Sequence, residues 1–320
     1  MIDVVTLGEI LIDFTCNSLD DDRYPLMQAH AGGAVANFLA VNSKFGLNTA
    51  FIGKVGNDTF GTLLVKTLEK NGINTEGVVM DKNVFTTLAF VTLSDQGDRD
   101  FAFARKPGAD TMLTFDEVNL SLIERCKAFH FGTLSLTNEP CITATKKVVE
   151  YAKNLGKLIT FDPNLRLPLW EDVEFCKQQM KWGLSKADVV KISEEEVEFL
   201  FGLNDKDGAK YILENYGVKL IFVTKGANGV YATNGKVEVE MPALQGVKVI
   251  DTTGCGDIFG GSALYKILSL GKSICDYSVA DLKDVCRFAT VAAGLASQKF
   301  GGIPSIPNLN DVIEKLEENL

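Results

Sequence analysis

Short apolar runs alternate with amphipathic helical stretches along almost the whole chain, and that alternation leaves few architectures open. Strand-like runs occupy residues 3–8, 49–55, 157–161, 188–192 and 220–224. Between the first two, Val35, Phe38, Leu39, Asn42 and Phe45 recur at helical spacing, and Gly46 is placed to end that helix in a left-handed conformation. A second helix is expected over 58–70, with Asn71 and Gly72 as its stop. Strand and helix signals in alternation predict an α/β fold with a mostly parallel central sheet.

One stretch breaks the rhythm. Residues 86–93 and 99–105 are β-rich and are joined by Ser94-Asp95-Gln96-Gly97-Asp98, which reads as a hairpin. Phe101 and Phe103 alternate with small residues, so one face is apolar and must cover something. Together with the irregular stretch 12–27 it suggests a small β lid over a cleft, although an ordinary edge hairpin carries the same pattern. The chain shows no internal repeat, low-complexity segment or linker, and is read as one α/β domain over 1–320 with lid segments at about 12–27 and 86–105. Residues 311–320 read as a terminal amphipathic helix.

Charge and cysteine usage narrow the partners. With 42 acidic against 32 basic residues the net charge is −10, the wrong sign for a nucleic-acid backbone binder, so any nucleotide bound is expected to be a small molecule. Seven cysteines with no C-x-x-C pair fit free thiols in a reducing cytoplasm. With Asp3, Glu9 and Asp13 and no basic flank, residues 1–13 are expected to be a strand rather than a signal peptide. The longest uncharged stretch, 24–43, holds Pro25, Gln28, His30, Gly32, Gly33, Asn37 and Asn42, so no membrane span is expected.

The sharpest local signal lies at 249–261. An apolar strand end runs into Asp251-Thr252-Thr253-Gly254-Cys255-Gly256-Asp257 and then into a helical pattern through Leu264, Ile267 and Leu268. Such a turn exposes the N–H groups of Gly254, Cys255 and Gly256 at a helix N-terminus, where an anion can bind. Phe259 stands where a dinucleotide fingerprint needs glycine, and no P-loop motif occurs. Asp257 could take a proton from an attacking hydroxyl, or simply cap the helix; spacing alone does not separate the two.

Other candidates stand at loop and strand ends. Gly32 and Gly33 enter a helix carrying Asn37 on its first turn, a place where a ligand can approach the backbone, or merely a tight turn. Asp13 follows the first strand and could grip two hydroxyls, or be a plain loop aspartate. Asn164 and Arg166 lie at the rim of a strand, and Arg105 ends the hairpin; either arginine could pair with phosphate, or be a surface charge. Ser193 and Glu196 form a capping box, with a metal-water role for Glu196 as the lesser reading. Thr224, Gly226 and Gly229 make a plain turn after a strand, or one that passes along a nucleotide. His30 and His130 are too few for a zinc site or a triad.

Taken together and in this order, these motifs resemble the ribokinase-like (PfkB) family of carbohydrate kinases, from Gly8 to about Pro304. Gly8-Glu9-Ile10-Leu11-Ile12-Asp13, Phe51-Ile52-Gly53-Lys54-Val55-Gly56, Asp162-Pro163-Asn164-Leu165-Arg166 and Lys191-Ile192-Ser193-Glu194-Glu195-Glu196 look most like fructokinases. The resemblance implies a three-layer αβα sandwich with a β lid, and transfer of the γ-phosphoryl of ATP to a primary hydroxyl of a small sugar. Asp257 would be the base, and Gly254, Cys255 and Gly256 the anion hole. Asp13, Gly32, Gly33, Asn37 and Phe103 would face the sugar, with Arg105 reaching down from the lid. Arg166, Asn164 and Glu196 would serve the phosphates and the Mg²⁺ water shell, and Thr224, Gly226 and Gly229 the nucleotide groove. A monovalent cation, K⁺, would sit by Asp251, Thr253, Gly301 and Ser305.

Two positions depart from the family pattern: Ser193 where many members have Asn, and Cys255 where Ala is common. A kinase for 2-keto-3-deoxygluconate is the nearest rival to a fructokinase, and a silent sugar-binding regulator the distant one. The lid's apolar face would also suit a homodimer.

Overall fold

The computed structural model describes residues 1–93 and 99–318. In chain order the strands are β1 (Ile2–Leu7), β2 (Leu11–Leu19), β3 (Pro25–Gly32), β4 (Thr49–Gly56), β5 (Asn74–Asp81), β6 (Leu88–Leu93) and β7 (Arg99–Ala104). They continue as β8 (Cys126–Gly132), β9 (Leu158–Asp162), β10 (Val189–Ser193), β11 (Leu220–Thr224), β12 (Val230–Thr233) and β13 (Glu238–Met241). The helices are α1 (Ala34–Lys44), α2 (Thr59–Lys70), α3 (Leu120–Glu124), α4 (Cys141–Asn154), α5 (Val173–Lys186) and α6 (Glu194–Phe201). Then come α7 (Asp205–Tyr216), α8 (Cys255–Leu270), α9 (Val279–Ala296), α10 (Gly302–Ser305) and α11 (Leu309–Glu318).

Nine of the described strands form one sheet in the order β13-β12-β11-β10-β9-β8-β1-β4-β5. From β5 to β11 every neighbouring pair is parallel, and β12 and β13 close the far edge antiparallel. Strand order runs one way from β1 through β4 and β5, and the other way from β8 through β11. At such a switch point the loops leaving the carboxyl ends of the strands part and open a crevice.

Alternate residues of each strand feed opposite cores, as the two-residue period of a strand demands. Val5, Leu7, Phe129, Phe131 and Ile221 pack with Leu122, Val148, Met180, Val197 and Ile212 of the helices α3 to α7. Val4, Phe51, Val55 and Ala128 face the other way, onto Phe38, Leu64, Ile258 and Phe288 of α1, α2, α8 and α9. The result is the three-layer αβα sandwich. β1 and β4 are buried along their full length, which is why they read as continuous apolar runs.

A smaller sheet, ordered β3-β2-β6-β7, stands over the carboxyl edge. β2 and β6 pair in parallel, and β3 and β7 flank them antiparallel. The hairpin expected over 86–93 and 99–105 has narrower limits, Leu88–Leu93 and Arg99–Ala104. Its joining residues 94–98 and the Phe101 side chain lie outside the described residues, as do 319–320 beyond α11. The stretch 12–27 is corrected from irregular to ordered: most of it belongs to β2 and β3, a paired hairpin turning at Asp20–Tyr24, where Asp20 Oδ1 accepts from the N–H groups of Asp22 and Tyr24. Four of the eight residues of β3 are exposed and only Gly32 is fully buried, so the strand carries no apolar alternation to announce it.

The helix signals hold at their ends. Asp58 caps α2 by accepting from Gly61 N–H at 2.8 Å, and Gly46 and Gly72 take φ of 94° and 73° past the helices they stop. Among the described residues no helix is long and apolar enough to cross a membrane.

Candidate active site

The carboxyl-edge loops, the N-terminus of α8 and the inner face of the small sheet enclose a cleft of about 400 Å³. Asp13 and Thr15 of β2, Val91 of β6 and Phe103 of β7 line it from above, and Gly33, Asn37, Asn164, Arg166, Glu196, Gly254, Gly256 and Asp257 from below.

Gly254 opens α8 with φ of 77°, and a Cβ there would stand 2.9 Å from Gly302 Cα and 3.3 Å from Asn37 Nδ2, so both conformation and packing demand glycine. The turn sets Asp257 on the first helical turn, buried, with the helix dipole favouring its charge. Asn37 Nδ2 donates to its Oδ2 at 2.9 Å and Asn164 Nδ2 to its Oδ1 at 2.7 Å. Asn164 reaches it from a left-handed backbone conformation, φ 50°, which Asn tolerates better than most residues. Burial raises the Asp257 pKa, against the pull of Asn37, Lys191, Arg166 and Asn164. Each oxygen keeps a further lone pair, so the carboxylate can accept a hydroxyl proton.

Lys191 and Glu9 are residues the sequence reading missed. Lys191 on β10 lines the cleft, pairs with Asp162 at 3.2 Å, and lies so close under α8 that a Cβ on Gly256 would be 2.9 Å from its ammonium. Burial lowers its pKa, but Asp162, Glu196 and Asp257 outweigh that and hold it above the ordinary lysine value. A lone lysine inside an apolar strand was the available signal, because a buried charge needs a partner. Glu9 follows β1, accepts from Ala34 N–H at 2.5 Å, and is pushed to about 7 by burial.

Asp13 lies opposite Asp257 with no hydrogen bond to its carboxylate from a described residue. Burial first, then Asp257 and Asp251, raise it to about 7, while Arg166 opposes them. Gly32 itself does not line the cleft; a Cβ there would run into the Asp13 carboxylate, so this glycine makes its room.

Several expected residues are placed differently. Arg105 does not reach the cleft: its guanidinium is buried against Asp110, Leu134 and Thr137, a correction to its reading as a sugar ligand. Cys255 is absent from the lining, and its N–H turns back to Thr252 O at 3.2 Å, which leaves the N–H groups on either side of it for an anion. Glu196 receives the N–H groups of Leu165 and Ser193, so the capping box is made and also ties α6 to the loop after β9. Asp251 accepts from Thr253 N–H and Gly301 N–H, both at 2.9 Å, and Ser305 Oγ donates to Gly302 O at 2.8 Å. Thr224 stands beside Ser193 in the sheet but, like Gly226 and Gly229, outside the cleft lining.

An αβα sandwich with a small sheet standing over its switch point is the fold shared with the ribokinase-like kinases. The chain matches the profile of the pfkB family carbohydrate kinases over residues 1–309, and it belongs to that family. Fructokinase-2 of Solanum habrochaites is 40% identical over 317 residues, covering 98% of this chain and 96% of the relative. The crystal structure of fructokinase with bound ATP from Xylella fastidiosa superposes with a TM-score of 0.91 at 29% identity, covering 99% of this chain and 98% of that one. A fructokinase double mutant from Vibrio cholerae, bound to fructose, ADP and potassium, superposes with a TM-score of 0.87 at 28% identity over 98% of each chain.

Proposed function

We propose that this sugar kinase transfers the γ-phosphoryl of ATP to a primary hydroxyl of fructose. The observation that carries the reading is Asp257, buried at the head of α8 with one oxygen held by Asn37 and the other by Asn164. Held on both sides, its carboxylate is fixed in orientation while each oxygen keeps a lone pair for a hydroxyl. It takes the hydroxyl proton as the oxygen attacks phosphorus, the bond to the leaving ADP oxygen breaks, and the helix N-terminus with Lys191 steadies the charge on the phosphoryl oxygens. Asp13 and Gly33 grip the other sugar hydroxyls, and Phe103 and Val91 close over the ring so that water does not replace the sugar as acceptor.

Likeness to the fructokinases of Solanum habrochaites and Xylella fastidiosa supports fructose and ATP. A neutral sugar is favoured over a sugar acid because Arg105 is committed elsewhere, which leaves Arg166 as the one arginine of the lining among the described residues. The nucleotide would extend from the α8 turn toward Thr224, Gly226 and Gly229. Mg²⁺ neutralises phosphate charge when bound, and Glu196 and Asn164, a carboxylate and an amide on the cleft wall, suit its water shell. The buried Asp251 carboxylate between the loops of Thr253 and Gly301, beside Ser305, suits K⁺. The two lid segments and the body, 1–320, work as one catalytic unit.

The test is ADP release with ATP, Mg²⁺ and K⁺ on fructose, ribose, glucose, adenosine and 2-keto-3-deoxygluconate, beside Asp257→Asn. Fructose turnover is expected, and in Asp257→Asn a kcat lower by about 10²–10⁴ with the ATP KM little changed. Preference for another panel sugar would refute fructose, and an active Asp257→Asn would refute the base.

A further inference from the structure

The hairpin β6–β7 brings Val91 and Phe103 to the cleft, and its roots join the body of the protein at Thr87 and Arg105. Both roots end on one side chain. Asp110, in the short 3₁₀ helix Ala109–Met112, accepts through Oδ2 from Arg105 Nε at 2.8 Å and Nη2 at 2.6 Å, and through Oδ1 from Thr87 Oγ1. Arg105 carries the connection onward, donating from Nη2 to Leu134 O at 2.7 Å and from Nη1 to Thr137 Oγ1 at 2.9 Å. Leu134 is itself part of the cleft wall. Thr87, Arg105 and Asp110 are 1%, 6% and 5% exposed, so water does not compete for these bonds. The chain between Arg105 and Asp110 is close-packed as well: a Cβ on Gly108 would run into Thr87 Oγ1.

We infer that Asp110 is a positioning residue for the sugar kinase, fastening both roots of the lid hairpin so that Val91 and Phe103 are held over the cleft. A two-stranded hairpin swings about its connections unless both are fixed. A carboxylate receiving two N–H groups of one guanidinium on one oxygen and a hydroxyl on the other fixes the distance between the roots as well as their direction. The arginine expected on the sugar acts through the strand it ends instead. With the fastening lost, the lid wall loosens, the sugar is gripped less, and water reaches the cleft; the nucleotide side, built from the body, keeps its geometry. The inference rests on reading the cleft as the sugar site, and not on which sugar fills it.

The test compares the full-length enzyme with Asp110→Asn and Thr87→Val. Asp110→Asn leaves a buried guanidinium unpaired and lowers stability, so Thr87→Val, which removes one tether and keeps the ion pair, is measured beside it. Kinetics use whichever panel sugar the wild type turns over. Sugar KM is expected to rise about tenfold or more in both variants, the size of a lost buried hydrogen bond to a charged group, with nucleotide KM unchanged and sugar-independent nucleotide hydrolysis increased. Amide hydrogen exchange over Leu88–Leu93 and Arg99–Ala104 is expected to quicken relative to β1 and β4. Variants that melt earlier but keep the wild-type ratio of sugar to nucleotide KM and wild-type hairpin exchange would overturn the inference. Should the wild type turn over no sugar, the sugar-site reading fails, while hairpin exchange in Thr87→Val still decides whether Asp110 fastens the lid.

Discussion

Asp13 lines the cleft with no hydrogen bond to its carboxylate from a described residue and a pKa raised to about 7, and that combination has a measurable consequence for stability. In the unfolded chain the carboxyl titrates near 3.8. Between 3.8 and about 7 the folded chain therefore binds the extra proton, and folding stability falls as pH rises through that window. The stabilising contribution is complete below pH 3.8 and gone above about 7. At about 1.4 kcal/mol per pK unit, the charged carboxylate costs the folded enzyme about 4 kcal/mol at pH 8. Asp13→Asn removes the titration and keeps the shape. Urea unfolding of both proteins from pH 4 to 8 should show the variant gaining on the wild type by about that amount. Glu9, raised in the same way, is present in both proteins and cancels in the difference. Fructose hydroxyls donating to Asp13 would supply the missing partners, so saturating fructose should narrow the gap at pH 8 and release a proton on binding at pH 7. Two stability curves that stay parallel from pH 4 to 8 would refute the reasoning.

The other predictions concern the floor of the cleft. Lys191→Met removes the cation beneath Gly256 and leaves Asp162 buried and unpaired; kcat should fall at least about tenfold with sugar KM little changed, and stability by about 3–5 kcal/mol, read by steady-state kinetics and urea unfolding. Cys255→Ala should keep kcat within about twofold, since its side chain is outside the cleft lining and its N–H serves the Thr252 carbonyl; an inactive Cys255→Ala would put that thiol in the chemistry.

Elements whose instructions are local were legible. The apolar runs became β4, β9, β10 and β11 within a residue or two, Gly46 and Gly72 stop their helices, and Ser193 and Glu196 make their box. The turn at 251–257 was read correctly as a helix start with Asp257 on its first turn. The open strands of the lid were read only in part, because a strand with solvent on one side and a ligand space on the other needs no apolar pattern.

Arg105 marks where local reasoning stops. Asp110 is only five residues away, yet whether an arginine at a strand end turns to a neighbour or into a cleft depends on where the rest of the chain puts the wall behind it. Asp257 is the opposite case: its place on the first turn of a helix follows from seven consecutive residues, but its orientation comes from Asn37, 220 positions away, and Asn164, 93 away. Lys191 meets Asp162 across 29 positions because β9 and β10 are adjacent parallel strands. The sequence by itself determined the alternating architecture, the helix boundaries and the chemical types available, since propensity, capping and turn geometry act over a few residues. Only the tertiary structure decided which of those groups meet, because sheet order sets the meeting points, and burial then decides which charges must be paired and which are left facing the cleft.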